Sequence, residues 1–390
     1  LDDPSAEKRE AAEKALVELG PEITPLLPRV TARTSAEVKD RLLRITRSLD
    51  RIAADEIIKP RLLNLDAEIS FEKALEEIEK QTGNKVRDLR AEYGDAVDLT
   101  VKTKIESLPF WEGLDLLLDE FALSVEDVAG ELNTIGVISR PQGQSPRSER
   151  AFYNGPFRFE AVEVEAVRSL RTPDMERLRL FVEASWEPRL RPVFFEQKLE
   201  DIVAKDDAGN IIPIDGADGD IEFDVEFDAS LVELEIPLKL PPRDVKKISS
   251  LKGKTSIVLL GREVDFEFTN LDRAKQVKQT QAGVTVVLEK VSKFDDVYEF
   301  EVRVELDNAQ GALESFRAGV FTSEAYLLSP NLERIENDGE EASREEENVF
   351  GRVYQFVLEG DISKYKFVFR TPVSVIRVPV EYELKDVELP

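Results

Sequence analysis

Neither histidine nor cysteine occurs among the 390 residues, and methionine occurs once. Catalytic triads, Cys–His nucleophiles, zinc centres and haem ligation all draw on one or both of the missing side chains. Without cysteine there is no disulfide framework, so stability rests on packing. Long hydrophobic runs are also missing: no stretch of about 18 apolar residues reads as a membrane span. The chain opens on Leu1-Asp2-Asp3-Pro4 with neither initiator methionine nor signal peptide, as expected of a processed or trimmed product. Neither a Gly-x-x-x-x-Gly-Lys-Ser/Thr loop nor a Gly-x-Gly-x-x-Gly turn is present, so nucleotide chemistry has no support.

What is present is acid. Eighty Asp and Glu stand against 53 Lys and Arg, a formal net charge of −27. Such a field repels phosphate backbones and anionic headgroups and favours solubility, cations or basic partners. Nucleic acid is therefore not an expected partner. At about 100–200 residues per domain the length predicts two to four domains, and 42% hydrophobic residues are enough to give each a core.

Asp3-Pro4 reads as a helix start, followed by Ala12, Ala15, Leu16 and Leu19 at helical spacing and a stop at Gly20. Ile23, Leu26, Leu27 and Val30 mark a second short helix. Thr34-x-x-Glu37 is a capping box for a third, with Val38, Leu42, Ile45, Leu49 and Ile52 on one face. Residues 1–56 thus form a helical cap that resembles one HEAT-type repeat.

A 39-residue internal repeat comes next. "ISFEKALEEIEKQTGNKV" at Ile69–Val86 aligns with "LPFWEGLDLLLDEFALSV" at Leu108–Val125, matching Phe71 with Phe110, Leu75 with Leu114 and Ile78 with Leu117. Each copy is an amphipathic helix, started by Ser70 or Pro109, that feeds a strand. With strands near Leu62–Leu65, Val97–Val101 and Thr134–Ser139, residues 57–141 predict a small α/β module of two βαβ halves. On the helical phase Glu76 and Asp115 fall on the solvent side. The pattern resembles the secretin and TonB N-terminal short domain. That resemblance implies a protein-interaction module of the bacterial periplasm and brings no catalytic residues with it.

Residues 142–150, within "PQGQSPRSER", read as a linker that with its flank offers Arg140, Arg147 and Arg150 to trypsin and decouples the α/β module from the strands beyond it. In those strands, alternation such as Phe157-x-Phe159, Leu178-x-Leu180-x-Val182, Ile221-x-Phe223-x-Val225-x-Phe227, Val284-x-Val286-x-Leu288 and Val378-x-Val380-x-Tyr382 has the period of half-buried sheet. Val167 matches Val291, and Val203–Ile211 matches Leu327–Ile335, both at a shift of 124 residues. Two mainly antiparallel β-sandwiches are expected, over 151–271 and 281–390, joined by a linker at 272–280. The fold class is multi-domain α+β.

Asp215, Asp218, Asp220, Glu222 and Asp224 crowd one loop-to-strand segment and supply the oxygen ligands calcium takes, without EF-hand spacing. The alternative reading is a solvated acidic face. A second acidic run, Glu336–Asn348, reads as a loop. Trp186-Glu187-Pro188-Arg189-Leu190-Arg191 sets an indole beside two arginines, a group that could stack on a sugar or clamp a carboxylate, or plug a sandwich core. Trp111 on the second helix of the module is a core or interface residue. Trp111, Trp186, Arg189 and Arg191 are therefore the candidate interaction residues.

These features predict a non-enzymatic binding or scaffolding protein of the periplasm, envelope or cell surface. Its partners would be proteins or cell-surface components, in homo- or hetero-oligomers, with no cofactor beyond calcium. The alternatives are a calcium-stabilised carbohydrate- or surface-binding module and a carboxylate-dependent glycoside hydrolase.

Overall fold

The computed structural model describes residues 1–28, 34–66, 68–95, 97–128, 131, 134–148, 150–172, 176–216, 219–226, 229–261, 263–281, 284–306, 323–346, 349–358, 360–373 and 375–390. The chain is multi-domain α+β, with N-terminal helices, small mixed α/β sheets and then several antiparallel β-sheets. It divides into two compact units, 57–259 with 377–390 and 1–56 with 260–376. No helix among the described residues is long and apolar enough to cross a membrane.

Within the first unit, residues 57–141 build the α/β module around helices α3 (Phe71–Thr82) and α4 (Phe110–Glu120), numbered after α1 (Ala6–Glu18) and α2 (Ala36–Ile57). Ser70 caps α3 by accepting from Lys73 N, and Gly83 ends it at φ 73°, a left-handed conformation natural to glycine. Strands Lys85–Asp88 and Leu123–Asp127 leave the two helices and flank Thr134–Ser139, the first parallel and the second antiparallel. The strands leading into the helices pair elsewhere: Leu62–Leu65 with Ile105–Pro109, and Ile69–Ser70 with Thr100–Val101. One core holds the module together, and both Leu75 and Leu114 lie in it. Truncating either leucine to alanine is expected to cost about 2–5 kcal/mol, as a cavity opens among buried neighbours. Glu76→Ala, on the exposed side of α3, is expected to change little. Urea unfolding of the three variants checks both statements.

The first sandwich faces two sheets. One runs in the order Leu231–Leu238, Arg177–Trp186, Phe157–Val167, Phe152–Asn154; the other runs Ile211–Ile212, Val203–Asp206, Lys247–Leu260, Pro192–Lys198, Asp220–Asp224. Val375–Glu388 joins the second sheet along Lys247–Leu260. Arg377 Nη1 reaches Ser256 Oγ at one end and Leu389 N donates to Lys246 O at the other, so the two strands run antiparallel. Tyr382 from this last strand stacks on Phe159 of the facing sheet at 4.6 Å between centroids. It crosses above Gly253, where any Cβ would overlap its ring.

In the second unit, a sheet ordered Glu263–Phe268, Lys366–Pro372, Glu324–Leu328, Arg334–Glu336 faces one ordered Lys275–Gln281, Val284–Phe294, Val297–Leu306, Val349–Val357, Gly339–Glu346. Phe266, Phe268, Phe367 and Phe369 from the first meet Val286, Phe300, Tyr354 and Phe356 from the second in a single core. The domain boundaries read from sequence therefore shift in three places. Residues 263–268, assigned to the first sandwich, pair in the second; 377–390, assigned to the second, belong with the first; and 275–280, assigned to the linker, lie in the edge strand Lys275–Gln281. The acidic run expected as a loop supplies another edge strand, Gly339–Glu346, on which the exposed Glu340 and Glu341 disfavour further strand addition.

Residues 1–56 hold α1, a short 3₁₀ turn at Pro21–Leu26 and α2. Leu42, Ile45 and Leu49 of α2 are buried, whereas α1 buries no residue completely. What ties α1 to α2 is charge: Arg41 Nη1 lies 2.7 Å and Arg44 Nε 2.9 Å from Glu13, and Arg9 Nε lies 2.7 Å from Glu37. The hydrogen bond from Arg44, joined by Arg41, holds the Glu13 carboxyl below the usual carboxylate range. Leu19 and Leu26, expected on buried faces, are 65% and 81% exposed. Ser35 supplies the N-terminal hydroxyl of α2, accepting from Val38 N at 3.3 Å. Val30, Phe227 and Asp218 lie outside the described residues.

Candidate functional site

Sequence reasoning placed Asp115 on the solvent side of α4, yet it is 1% exposed. The strands of the first sandwich cover that face of the helix. Arg158, the middle residue of Phe157-x-Phe159, comes from a position that alternation assigns to solvent and is also 1% exposed. Its Nη1 donates to Asp115 Oδ1 at 3.0 Å, and its Nη2 donates to Glu183 Oε1 at 3.0 Å and to Ser185 Oγ at 3.1 Å. Tyr153 Oη donates to Asp115 Oδ2 at 2.8 Å. Burial first, and then the neighbouring Asp115 charge, push the Tyr153 phenol far above its ordinary value. The Arg158 guanidinium also sits 4.3 Å from the centre of the Trp111 ring, a desolvated cation–π contact. Trp111, expected as a core or interface residue, is thus the apolar floor of a buried polar seam between module and sandwich.

The segment expected to be a free linker closes the same seam. Asp119 on α4 accepts from Ser148 Oγ at 2.6 Å, Ser148 N at 3.0 Å and Arg147 N at 3.2 Å, and pairs with Arg140. Burial raises the Asp119 carboxyl, but the Ser148 and Arg147 hydrogen bonds and the Arg140 charge outweigh it and leave the group below its ordinary value. Stability from this contact is present above the unfolded-state carboxylate pKa and is lost as pH falls through the lower folded-state value. Arg147 is 8% exposed, with Glu160 and Glu183 at 3.7 and 3.8 Å. Of the three arginines read as offered to trypsin, Arg140 is half-buried, Arg147 is buried and only Arg150 is exposed. The decoupling expected of 142–150 is corrected accordingly: its polar groups found partners on α4.

A second seam uses the Trp186–Arg191 stretch. Trp186 is 2% exposed and tilts against Phe195 at 5.5 Å, so its indole fills the sandwich core. Glu187, fully buried, accepts from Arg61 N at 2.9 Å, Asn84 Nδ2 at 3.1 Å and Arg189 Nε at 2.6 Å. Arg189 also donates to Ile57 O at 2.7 Å and Lys59 O at 2.6 Å, and its own N–H donates to Asn84 Oδ1 at 3.0 Å. Arg189 therefore clamps carbonyls and a carboxylate of its own chain, and Arg191 is half-buried just before strand Pro192–Lys198. A third contact, Ser230 Oγ to Asp127 Oδ1 at 2.6 Å, ties the module to the Leu231–Leu238 strand.

The acidic segment is arranged differently. Asp220, Glu222 and Asp224 project from one exposed face of a strand, spaced about 6.7 Å apart. Glu222 lies opposite Glu196, which already pairs with Arg377. Asp215 is exposed in the preceding turn, where its N–H donates to Pro237 O at 3.0 Å. Among the described residues no three acidic side chains group closely enough to hold a metal ion. Millimolar calcium is therefore expected to leave the melting temperature of the chain unchanged. A rise abolished by Asp220→Asn with Glu222→Gln would instead establish the site.

Asp115, Arg158 and Glu187 were missed as buried groups because nothing local marks them: their partners lie up to 126 residues away. Compared with protein-family models and with curated proteins, the chain matches none.

Proposed function

We propose that the chain is a non-enzymatic binding and scaffolding protein of the bacterial cell envelope, acting through protein–protein or surface contacts. One observation carries this reading. The two constellations richest in reactive side chains, around Asp115–Arg158 and around Glu187–Arg189, are buried and bonded to their own chain, where they fasten the α/β module to the first sandwich. Buried charges joined across such seams resist relative motion of the parts, which suits a spacer that holds binding faces in fixed geometry. The resemblance of 57–141 to the secretin and TonB short domain supports the envelope placement, and the charge of −27 favours partners with basic surfaces. The test is fractionation of source cells carrying the tagged full chain, followed by cross-linking in intact cells. Release with the periplasm and defined cross-links to envelope proteins are expected. Recovery in the cytosol would remove the envelope placement, and turnover on a glycan panel would remove the non-enzymatic reading.

A further inference from the structure

The outer face of the five-stranded sheet in the second unit carries several ion pairs between side chains on different strands or across its hairpins. Lys290 pairs with Glu301 at 3.2 Å, Lys278 with Glu305 at 3.0 Å and Arg303 with Glu289 at 2.5 Å. The row at the hairpin end holds apolar side chains only. Phe294 lies opposite Val297, and Val297 lies opposite Val357. Residues directly opposite across antiparallel strands share a face, so the three form one apolar strip. Phe294 is 65% and Val357 54% exposed. An aromatic ring held in water by a two-residue turn is the kind of exposed apolar feature that marks contact surfaces.

Acid surrounds the strip. Asp295 and Asp296 form the turn beside Phe294, with Asp295 at φ 52°. Asp338 is pinned next to Val357 by accepting its N–H at 2.7 Å, and Glu299 lies in the adjoining row, where Gln355 Nε2 donates to it at 3.4 Å. Among the described residues no lysine or arginine makes an ion pair with any of these four. The neighbouring Lys293 points to the opposite face, 4.9 Å over the Tyr298 ring.

We propose that this hairpin end docks a protein segment that carries an apolar side chain flanked by lysine or arginine. Phe294, Val297 and Val357 cover the apolar group, and Asp295, Asp296, Asp338 and Glu299 meet the flanking cations. The proposal rests on the binding role above and gives it a surface and a partner chemistry. Charge complementarity decides the occupant: an acidic or purely apolar segment would leave four carboxylates facing no cation.

The test uses the full chain and three fluorescent pentapeptides, with a central phenylalanine between lysine pairs, a central serine between lysine pairs, or a central phenylalanine between glutamate pairs. Fluorescence anisotropy near 0.15 M salt, where distant charges are screened, is expected to favour the first peptide at least about tenfold over the others. Phe294→Ser should remove that preference. Asp295→Asn with Asp296→Asn, which keeps a residue tolerant of positive φ at the turn, should weaken binding and flatten its salt dependence. Melting of both variants should follow the parent chain, since neither site is buried. Equal binding of the two lysine peptides, undiminished binding by Phe294→Ser, or no binding would each overturn the docking site. If envelope cross-links persist while the tip fails, the scaffolding role stands without this surface; if fractionation fails, the role falls whatever the peptides do.

Discussion

Asp115→Ala is expected to destabilise the 57–259 unit by about 3–5 kcal/mol, because it removes the fully buried one of the two carboxylates that the Arg158 guanidinium pairs with and leaves Glu183 alone to offset its charge. The size follows from burial. Exposed ion pairs such as Lys102–Glu68 are worth about 0–1 kcal/mol, since water already solvates both groups. Arg158 cannot return to water while the unit stays folded: α4 and the Trp111 ring cover it, and its contacts to Glu183 and Ser185 leave it short of one acceptor. Tyr153 loses its acceptor in the same variant. Chemical denaturation of the full chain gives the loss. A companion variant separates charge from packing: Asp115→Leu with Arg158→Met removes both charges together and should recover much of the stability. A loss below about 1 kcal/mol in the single variant would mean that the seam is open to solvent.

The second large effect is expected at Glu187. Glu187→Ala removes one carboxylate that serves three donors, and a loss of about 3–5 kcal/mol is again the scale for a buried charge partner. Arg189 would keep only the carbonyls of Ile57 and Lys59. Because this seam and the one at Asp115 both span module and sandwich, the two parts are expected to unfold together in the parent chain, and either substitution should lower that shared transition. Fluorescence of Trp111 in the module and Trp186 in the sandwich, read separately in single-tryptophan variants with phenylalanine at the other position, reports each part. Two well-separated transitions in otherwise unmodified backgrounds would restore the decoupled arrangement that 142–150 suggested in sequence.

Much of the local structure was legible. The 39-residue repeat places the start of α3 at Phe71 and of α4 at Phe110, and the residues aligned across it, Leu75 with Leu114 and Ile78 with Leu117, are all buried. Helical spacing identifies these positions because each helix turns one stripe toward its own sheet. Asp115 and Arg158 were illegible for a related reason. Periodicity names the first face that an element buries, and here a second face is covered by an element 43 residues away. The Trp186–Arg191 stretch was recognised as a polar–aromatic group, but its partners, the Asn84 side chain and the carbonyls of Ile57 and Lys59, are brought in only by the fold.

The sequence by itself determined the fold class, the two helices of the module and the alternating strands, because these follow from spacing within about ten residues. The tertiary structure alone decided where two of those strands would pair. Glu263–Phe268 comes directly after the last strand of the first sandwich yet pairs with Lys366–Pro372 of the second, while Val375–Glu388 comes after the second and pairs with Lys247–Leu260 of the first. Period-two alternation specifies that one face is buried and the other wet. It carries no information about which sheet edge supplies the backbone partners, since amides and carbonyls are the same on every edge, and that choice falls to packing such as Tyr382 against Phe159 over the open backbone of Gly253.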